Sequence, residues 1–393
     1  MTLLSLASRQ IWPQVLAVLE LKPNQAVLFH SAEESESRRP AERLLELFRT
    51  TNLVPGGVRL VEAPHDDFGK LMQAMAAVAE AELLDGSNCR FNLTGGNKLM
   101  AMAAAEWSRL NGVSCFYLER DLRSFPFLPV GSDLQPQPGF SLNPHLARDL
   151  DPLALLRCQL QAAEIVGEGE RLTLSNTGRT LNESSLRLDL LRGKAPDPRA
   201  WLNRRSSVPL PDGRAGDDLE LLTAAVILHL GVPMVQRGIR LKSGAGRGHW
   251  QDEGELDLVF NWCGKLWVVD CKHRRTAESR IGQLRRRLES TGPLDPEMGG
   301  LLEQITNELR DKELKPLKED LLNTAEVGGL LGKAVAVRVT PLPAEAGAFA
   351  LSRGLSVILR NDLCDGWRAL LHPNQPASLE SLRALATART REG

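Results

Sequence analysis

Residues 1–150 of this 393-residue chain alternate short apolar runs with helical stretches, and this alternation limits the folds that the segment can adopt. The apolar runs are continuous, which is typical of parallel strands covered on both faces. The expected strands are Thr2–Leu6, Gln25–His30, Val58–Glu62, Cys89–Leu93 and Ser114–Glu119, and the expected helices are Ile11–Leu21, Pro40–Arg49, Phe68–Leu84 and Lys98–Leu110. We therefore predict a Rossmann-like, doubly wound α/β domain with a parallel sheet.

Length and composition indicate a soluble protein of more than one domain. The chain is 42% hydrophobic and 25% charged, and ordinary domains contain about 100–200 residues. The net charge of −1 excludes a general attraction to nucleic acid or anionic membranes, so any basic surface must be local. The longest apolar stretch, near Leu221–Val232, is shorter than the ~20 residues of a membrane helix, and the N-terminus lacks the basic region of a signal peptide. We expect two or three domains in a cytoplasmic protein with no membrane partner.

The six cysteines are scattered and form no C-x-x-C pair. Four of them lie in apolar, strand-like contexts, where we expect a free buried thiol rather than a disulfide. The seven histidines show no H-x-x-x-H or Cys/His grouping, which disfavours a zinc site. These patterns indicate a reducing compartment.

The pattern changes at Asp151, after a proline-rich exit from the first unit. Asp151-Pro152 is a good helix start, since proline is favoured at the first helical position. We expect a helix at Leu153–Glu164 and a small hairpin at Arg171–Leu181 around Asn176-Thr177-Gly178. A second helix at Glu183–Leu191 and a Pro/Gly/Asp-rich linker at Gly193–Asp217 should follow. Helix, hairpin and helix are compatible with a connector and with a degenerate winged helix, and both interpretations stay open. We assign residues 151–215 to a connector or linker.

Residues 216–393 open with an amphipathic helix at Asp217–Leu230. Its first turn carries Asp217 and Asp218, where the helix dipole favours negative charge. Two apolar strands follow, joined by a turn at Asn261–Lys265 in which Gly264 supplies the conformational freedom. The elements from the first of these strands onwards are strands at Glu255–Phe260 and Leu266–Cys271, helices at Glu278–Glu289 and Leu301–Lys312, and strands at Ala334–Val339 and Leu355–Leu359. These residues form a unit of their own.

The segment from Phe91 to Met100 ends an apolar strand and opens a helix. Open α/β sheets bind ligands at this carboxyl edge of the strands. Gly95 and Gly96 let backbone N–H groups approach an anion, the helix N-terminus carries partial positive charge, and Lys98 adds a full charge. It is not a Walker A loop, because the upstream glycine is missing and no Ser or Thr follows the lysine. The segment is a candidate phosphate site, and the alternative is a strand-to-helix turn that needs glycine.

The loops after the first two strands should reach the same edge of the sheet. They are Ala7-Ser8-Arg9-Gln10 and Ser31-Ala32-Glu33-Glu34. Their small, hydroxyl-bearing and amide residues suit a polar ligand such as a nucleotide. The alternative is that Ser8 and Ser31 cap helices.

The run Asn92-Leu93-Thr94-Gly95-Gly96-Asn97-Lys98-Leu99-Met100 resembles the N-[LI]-T-G-G-T-K-x-M stretch of CARF domains in CRISPR ancillary nucleases. The departure is Asn97 where threonine is commoner, and asparagine keeps a short hydrogen-bonding side chain. The resemblance implies a Rossmann-like CARF domain over residues 1–150 that pairs as a homodimer and binds a cyclic oligoadenylate, usually cyclic tetra-adenylate, across the dimer interface. It also implies ligand contacts from Ser8, Arg9, Gln10, Ser31, Asn92, Thr94, Gly95, Gly96, Asn97 and Lys98.

Two strands of the last unit carry a D-x12-D-x-K pattern made by Asp257, Asp270 and Lys272. Side chains alternate along a strand, so Asp270 and Lys272 share a face, and a hairpin can place Asp257 beside them. Two carboxylates near a lysine can hold a hard divalent cation, which activates a water and stabilises charge at phosphorus, while the lysine positions or helps to deprotonate that water. The alternative is a surface ion pair between Asp270 and Lys272. Because both follow the apolar run Leu266–Val269, where unpartnered charge is costly, we favour the functional interpretation.

This arrangement resembles the PD-(D/E)xK nuclease core, and Glu255-Leu256-Asp257 with Asp270-Cys271-Lys272 resembles the nuclease half of CARF-linked enzymes. In that family the second acid is more often glutamate, so Asp270 is a conservative departure. Glu220 matches the helix-borne acid that assists the metal in many such cores. The resemblance implies an α/β, restriction-endonuclease-like nuclease domain over residues 216–393, with Mn2+ or Mg2+ held by Asp257, Asp270 and Glu220 and catalysis by Asp257, Asp270, Lys272, Glu255 and Glu220.

A locally basic stretch follows the second of these strands. It would neutralise phosphates and guide a nucleic acid to the metal, while the alternative is a solvated helix face. Its arginines are Arg274, Arg275, Arg280, Arg285, Arg286 and Arg287, and Gln283 is expected on the inward side of that helix.

The leading hypothesis is a metal-dependent endonuclease, activated by cyclic tetra-adenylate in type III CRISPR antiviral defence, that cleaves single-stranded DNA, RNA or plasmid DNA. One alternative is a ligand-sensing regulator that binds DNA through residues 151–192, and another is a ring nuclease that degrades the activator. The Asp257, Asp270 and Lys272 set argues against a pure regulator, which has no use for a metal site. The sequence of the first unit shows no additional catalytic residue that would demand a ring nuclease.

Overall fold

Two α/β units account for the part of the chain that the computed structural model describes, namely residues 1–119, 123–143, 146–160, 163–173, 215–243, 254–272, 284–290, 295–305, 307–308, 318, 327 and 332–373. One unit comprises Met1–Gln161 with Asn261–Leu266 and Gly329–Leu331, and the other comprises Ala162–Phe260, Trp267–Gly328 and Gly332–Gly393. Each unit is built on one β-sheet. Among the described helices, none combines the length and the apolar character needed to cross a bilayer.

Five parallel strands form the first half of the N-terminal sheet: β1 (Thr2–Leu6), β2 (Gln25–His30), β3 (Val58–Glu62), β4 (Cys89–Asn92) and β5 (Ser114–Leu118). The helices between them are α1 (Trp12–Leu21), α2 (Arg39–Thr51), α3 (Phe68–Glu82) and α4 (Lys98–Leu110), and a π-helical turn at Glu34–Arg38 leads into α2. The strand order is β3-β2-β1-β4-β5. The winding reverses between β1 and β4, the position at which open α/β sheets bind ligands. The Rossmann-like prediction is confirmed for these nine elements.

Antiparallel strands extend this sheet beyond β5, and the sequence analysis did not predict them. They are β6 (Arg123–Val130), β7 (Asp133–Pro136) and β8 (Phe140–Ser141), with β6 paired to β5, β7 and β8. Pro126, Pro129 and Pro136 lack the amide hydrogen that a strand ladder uses, so the segment resembled an irregular exit from the domain. The predicted parallel sheet is therefore the larger part of a mixed one.

Aromatic side chains support the carboxyl edge of the parallel strands. Phe29 and Phe91 stack with their ring centroids 5.8 Å apart, and Trp107 meets Phe91 edge-on at 6.0 Å. All three are buried, together with Met75 of α3. Burial of each such side chain contributes about 1.5–3 kcal/mol, so β4 and α4, which flank the glycine-containing loop, are firmly anchored.

Residues 152–173 form a shorter helix than predicted, followed by two strands. Helix α5 (Pro152–Gln159) begins as expected after Asp151, whose carboxylate accepts a hydrogen bond of 2.9 Å from Leu153 N, and it belongs to the N-terminal unit. Strands β9 (Ala163–Gly167) and β10 (Glu170–Thr173) follow, where the end of a helix and the start of a hairpin were expected, and both pair with a strand of the second sheet. The hairpin turn at Asn176-Thr177-Gly178, the helix at Glu183–Leu191 and most of the predicted linker lie outside the described residues.

The second sheet continues with β11 (Met234–Ser243), β12 (Gly254–Trp262), β13 (Lys265–Lys272), β14 (Lys333–Arg338) and β15 (Ser356–Leu359). The flanking helices are α6 (Ala215–His229), α7 (Ala344–Ser352) and α8 (Leu363–Leu371), with a 3-10 turn at Arg360–Asp362. The strand order is β10-β11-β12-β13-β14-β15, in which β11 and β12 are antiparallel while β13, β14 and β15 are parallel. Strand β13 is thus central, which explains its continuous apolar run. Residues 284–289, within the predicted basic helix, are helical.

A two-residue turn joins β12 to β13. Cys263 and Gly264 have φ angles of 52° and 66°, the left-handed conformation that tight hairpin turns require at both central positions. The predicted turn is confirmed and is shorter than Asn261–Lys265, since both of those residues belong to strands. Beyond the turn, Phe260 stacks on Trp267 with centroids 5.5 Å apart, so Trp267 is a core residue, as expected.

The six cysteines are all free, and Cys89, Cys115, Cys158 and Cys271 are buried. Burial raises the pKa of the Cys89 and Cys115 thiols to about 11. These thiols stay protonated and unreactive at neutral pH.

Candidate functional site

The loop between β4 and α4 depends on its two glycines. Gly95 has a φ of 113° and Gly96 a φ of 60°, and a Cβ on Gly95 would lie 2.4 Å from the carbonyl oxygen of Leu6. Leu6 is the last residue of β1, so the loop crosses the end of the neighbouring strand at backbone contact distance. This close approach, rather than chain reversal alone, explains why glycine is needed here.

The side chains of Asn92 and Thr94 hold the loop in place. Asn92, which is 0% exposed, donates to Pro13 O at 3.2 Å and accepts from Thr94 N at 3.0 Å. Thr94 Oγ1 accepts from Leu118 N at 2.7 Å. Gln14 of α1, which the sequence analysis missed, donates from Nε2 to Leu6 O at 2.6 Å and to Thr94 O at 2.9 Å. The polar residues of the motif therefore shape the backbone, and their side chains face inward.

Asn97 caps the N-terminus of α4. Its Oδ1 accepts from Met100 N at 2.8 Å, and its Nδ2 donates to His65 O in the loop after β3 at 2.8 Å. Asparagine and threonine are both good N-cap residues, which gives a physical reason why Asn97 can replace the commoner threonine. The exposed Lys98 follows at the first position of the helix, where the helix dipole and the lysine both attract an anion.

The loops after β1 and β2 are joined at the same edge of the sheet. Ser37 Oγ donates to Ala7 O and accepts from Ser31 N, each at 3.0 Å, and Arg9 Nη1 lies 3.2 Å from Glu36 Oε1. The N-cap positions are Ile11 for α1 and Glu33 for the π-helical turn, neither with a side-chain cap, so the capping alternative for Ser8 and Ser31 is not supported. Ser8 Oγ instead accepts from Gln10 N at 3.4 Å.

The loop after β3 adds a histidine that the sequence analysis did not single out. His65 Nε2 lies 3.5 Å from Glu33 Oε1, and its backbone carbonyl is the one that Asn97 binds. Four loops therefore meet at this edge through hydrogen bonds and ion pairs. Backbone N–H groups, Lys98 and Arg9 give the edge the character of a binding site for an anionic ligand.

In the second unit, the structure brings Asp257, Asp270 and Lys272 together. Lys272 Nζ lies 3.0 Å from Asp270 Oδ1, and the Asp257 carboxylate accepts from Cys271 N at 2.5 Å. The Asp270 side chain is 12% exposed and that of Lys272 is 44% exposed. A surface ion pair is therefore not an adequate description, because the carboxylate is nearly buried while the ammonium group reaches solvent.

The electrostatics show how tightly the acids are gathered around β13. Burial, followed by the charge of Asp270, raises the pKa of Asp257 to about 7. The pKa of the Cys271 thiol is raised well above its ordinary value by burial and then by the charges of Asp257, Asp270 and Glu220. These carboxylates repel one another's negative charge in a poorly solvated space, an arrangement that a divalent cation would relieve.

Arg338, at the end of β14, is a residue of this site that the sequence analysis missed. It is 3% exposed, and its Nη2 lies 2.5 Å from Asp270 Oδ2. The signal for it was a charged residue directly after the apolar run Ala334–Val337, the same kind of signal that identified Asp270.

Glu220 and Glu255 lie near the Asp257–Asp270 pair. Glu220 Oε2 lies 3.4 Å from Arg237 Nε, and the exposed Glu255 contributes to the raised pKa of Asp257. Within the described ranges, no three His, Cys, Asp or Glu side chains converge in a group that could hold a metal ion, and Glu220, the expected third ligand, is paired with Arg237. The donor set is the Asp257–Asp270 pair. It fits Mg2+ or Mn2+, because Mg2+ is commonly held through one or two carboxylates together with waters and substrate phosphates.

The basic stretch is described only in part. Arg285, Arg286 and Arg287 are exposed on the helical residues 284–289, and Arg285 Nε pairs with Glu289 Oε1 at 3.0 Å. That ion pair is typical of a solvated helix face. Arg274, Arg275, Arg280 and Gln283 lie outside the described residues.

Solved structures of other proteins share this fold over most of the chain. Can2 from Sulfobacillus thermosulfidooxidans, solved in complex with cyclic tetra-adenylate, is similar over 93% of this chain and 95% of its own, with 14% identity and a TM-score of 0.56. Protein VC1899 from Vibrio cholerae is similar over 98% of both chains, with 14% identity and a TM-score of 0.57. A type III CRISPR defence DNA nuclease activated by cyclic oligoadenylate is similar over 90% of this chain and 47% of its own, with 18% identity and a TM-score of 0.52.

No protein-family model and no curated protein matches the sequence. The likeness to solved structures at these identities establishes the fold, and the predicted α/β fold class is confirmed.

Proposed function

We propose that this chain is a divalent-metal-dependent endonuclease of type III CRISPR antiviral defence, switched on by cyclic tetra-adenylate. The proposal assigns residues 1–150 to a CARF sensing domain and residues 216–393 to a PD-(D/E)xK nuclease domain in a cytoplasmic protein. The observation that carries it is the half-buried carboxylate pair Asp257–Asp270 beside the solvent-reaching Lys272. A fold shared with proteins described as bound to, or activated by, cyclic oligoadenylate supports it.

Ligand phosphates would bind at the N-terminus of α4. Backbone N–H groups of Gly95 and Gly96, the helix dipole and Lys98 supply the positive potential, and Arg9 adds a charge from the loop after β1. Ser8, Gln10 and Ser31 supply polar groups at the same edge. Asn92, Thr94 and Asn97 would contribute by fixing the loop, because their side chains are engaged with backbone groups.

Phosphodiester cleavage would take place at the end of β13. Asp257 and Asp270 would hold Mg2+ or Mn2+, which when bound supplies an activated water and stabilises charge at phosphorus. Lys272, anchored 3.0 Å from Asp270 and open to solvent, would orient the nucleophile or the scissile phosphate. Glu220 and Glu255 add negative potential around the pair.

A homodimer paired through the N-terminal unit would match the symmetry of the ring. A cyclic oligonucleotide with even rotational symmetry presents identical edges, which a two-fold dimer grips with one copy of each loop per subunit. Met102 on α4 is 63% exposed, an apolar side chain on the helix that follows the ligand loop. The proposal predicts one ligand per dimer.

The test is a cleavage assay on the full chain. Plasmid, single-stranded DNA and RNA are incubated with and without cyclic tetra-adenylate, and with Mn2+, Mg2+ or chelator. We expect cleavage only when ligand and metal are both present, and a loss of several orders of magnitude in rate for Lys272→Ala, Asp257→Ala and Asp270→Ala. Lys265→Ala, at the other end of the same strand, is the matched control and should retain activity. Cleavage in chelator, or near-normal activity of Lys272→Ala, would overturn the proposal.

A second candidate activity, breakdown of the ligand itself, is favoured by one observation. The imidazole of His65 lies 3.5 Å from Glu33 at the proposed ligand edge, an arrangement in which a carboxylate orients a general base. Linear products from cyclic tetra-adenylate in chelator, lost in His65→Ala, would establish this activity. Intact ligand after prolonged incubation would exclude it.

A further inference from the structure

Arg338 contacts Asp270 at two of its oxygen atoms. Its Nη2 lies 2.5 Å from Asp270 Oδ2, and its Nη1 donates to the backbone carbonyl of Asp270 at 2.8 Å. A third bond, of 3.0 Å, runs from Nη1 to its own neighbour Val337 O. The parallel register places Arg338 opposite Lys272, so the guanidinium reaches back along β13 to the preceding acid. This fork, with one nitrogen on a carboxylate oxygen and the other on the backbone carbonyl of the same residue, restricts how the Asp270 side chain can turn relative to its backbone.

Structural stability alone does not account for an arginine at this position. The Arg338 side chain is 4% exposed, and its Nε has no hydrogen-bond partner among the described residues. A buried ion pair with an unsatisfied donor is often less stable than an apolar side chain of similar volume. The neighbours that precede Arg338 on β14 are apolar, so an apolar side chain would suit the strand. The contact with Asp270 is what the guanidinium adds.

Both oxygens of Asp270 are therefore bound by cations before any metal enters. Oδ1 faces Lys272 Nζ at 3.0 Å and Oδ2 faces Arg338 Nη2. Lys272 lies at the solvent end of the site, whereas Arg338 is buried and held by three bonds. A metal ion binding this carboxylate meets a fixed positive charge that competes for the same oxygens.

We propose that Arg338 is a positioning residue that holds the Asp270 carboxylate in place and, by its fixed charge, weakens the affinity of the nuclease centre for its divalent metal. This inference rests on the proposed function. Its physical basis is that a buried guanidinium neutralises Asp270 without metal, so the metal gains less from binding than it would gain at an uncompensated carboxylate pair.

The test measures metal binding directly, by calorimetric titration of Mn2+ into the full chain without nucleic acid, at mildly alkaline pH. Arg338→Met removes the charge and the fork, Arg338→Gln removes the charge and keeps a donor, and Arg338→Lys keeps the charge and loses the fork. We expect the two neutral variants to bind Mn2+ at least about tenfold more tightly than the wild type, equivalent to about 1.4 kcal/mol. Arg338→Lys should bind within about threefold of the wild type and lose turnover, since Asp270 is no longer oriented.

The outcomes separate this inference from the proposed function. If the wild type binds no Mn2+ and no Mg2+, the metal-dependent nuclease is wrong; if it binds metal and the neutral variants bind it equally or more weakly, only the role of Arg338 is wrong. Where neither neutral variant folds in chelator, refolding in excess Mn2+ supports the inference, because the metal then supplies the missing charge. Failure to fold in both conditions counts against it and assigns Arg338 to stability.

Discussion

Substitution of Gly95 by alanine should destabilise the N-terminal unit, and the size of the effect can be worked out from the backbone. A non-glycine residue in the left-handed region costs about 1–2 kcal/mol, and Gly95 has a φ of 113°. The new Cβ would also lie 2.4 Å from Leu6 O and 2.8 Å from Gln14 Nε2. Relief of that clash strains the hydrogen bonds that Gln14 donates to Leu6 O and Thr94 O, each worth about 0.5–1.5 kcal/mol. The sum is a loss of about 2–5 kcal/mol.

Gly57→Ala is the matched control, because it tests the same backbone conformation without the clash. Gly57 has a φ of 91°, and a Cβ there would meet no heavy atom within 4 Å. Its cost should be limited to the conformational term of about 1–2 kcal/mol. Thermal unfolding of the full chain measures both variants. At about 2–4 °C per kcal/mol for a domain of this size, Gly95→Ala should lower the Tm of the N-terminal unit by roughly 4–20 °C and Gly57→Ala by roughly 2–8 °C.

Calorimetric titration with cyclic tetra-adenylate then asks whether the loop binds the ligand. Gly95→Ala should lose most of its affinity at a temperature where it is still folded, while Gly57→Ala should bind as the wild type does. Equal Tm losses in the two variants would refute the argument that the close approach to Leu6 requires glycine. An unchanged affinity of folded Gly95→Ala for cyclic tetra-adenylate would show that the loop is a structural turn and does not bind the ligand.

Three further predictions concern single side chains. Thr94→Val leaves the buried Leu118 N–H without its acceptor and should lower the free energy of unfolding by about 1–3 kcal/mol in denaturant titrations, whereas Thr94→Ser should retain stability. Lys98→Ala should weaken the binding of cyclic tetra-adenylate about tenfold in calorimetry, with no change in Tm. The control is Lys70→Ala, on the first turn of α3, which should leave the affinity unchanged. Equal affinities of the wild type and Lys98→Ala would contradict the phosphate site. The pKa of Asp257 is raised from 3.8 to about 7, so the folded chain holds this proton more tightly than the unfolded chain does. In chelator, stability should therefore fall as pH rises from about 4 to 7 and level off above it, and Asp257→Asn should flatten that slope.

The parallel strands could be predicted because each is a short, continuous apolar run between helical segments. That signal failed for β6, because Pro126 and Pro129 lack the amide hydrogen that a strand residue donates to its neighbouring strand. It also failed for β9 and β10, which are short strands whose partner, β11, follows them by more than sixty residues. Local patterning identifies an element, while the pairing of distant elements depends on tertiary contacts.

The structure brings the residues of each motif together, but the contacts that their side chains make could not be predicted from the sequence. The resemblance to the CARF motif implied that Asn92 and Thr94 contact the ligand. In the structure their side chains turn inward and satisfy backbone groups, since the crowded crossing over Leu6 leaves buried N–H and C=O groups that need partners. Sequence spacing indicates which edge of the sheet a residue occupies and does not indicate the direction of its side chain in a loop.

The same limit explains why Arg338 was missed although Asp270 was found. Asp270 and Lys272 belong to one strand, so the two-residue period places them on one face without further knowledge. Arg338 comes from the adjacent parallel strand, and parallel neighbours are joined by a crossover whose length does not fix the register. A charge that closes a long apolar run predicts only that a partner of opposite charge lies nearby. When two such runs occur in one α/β domain and end in opposite charges, as Leu266–Val269 and Ala334–Val337 do, pairing the two strands satisfies both charges at once.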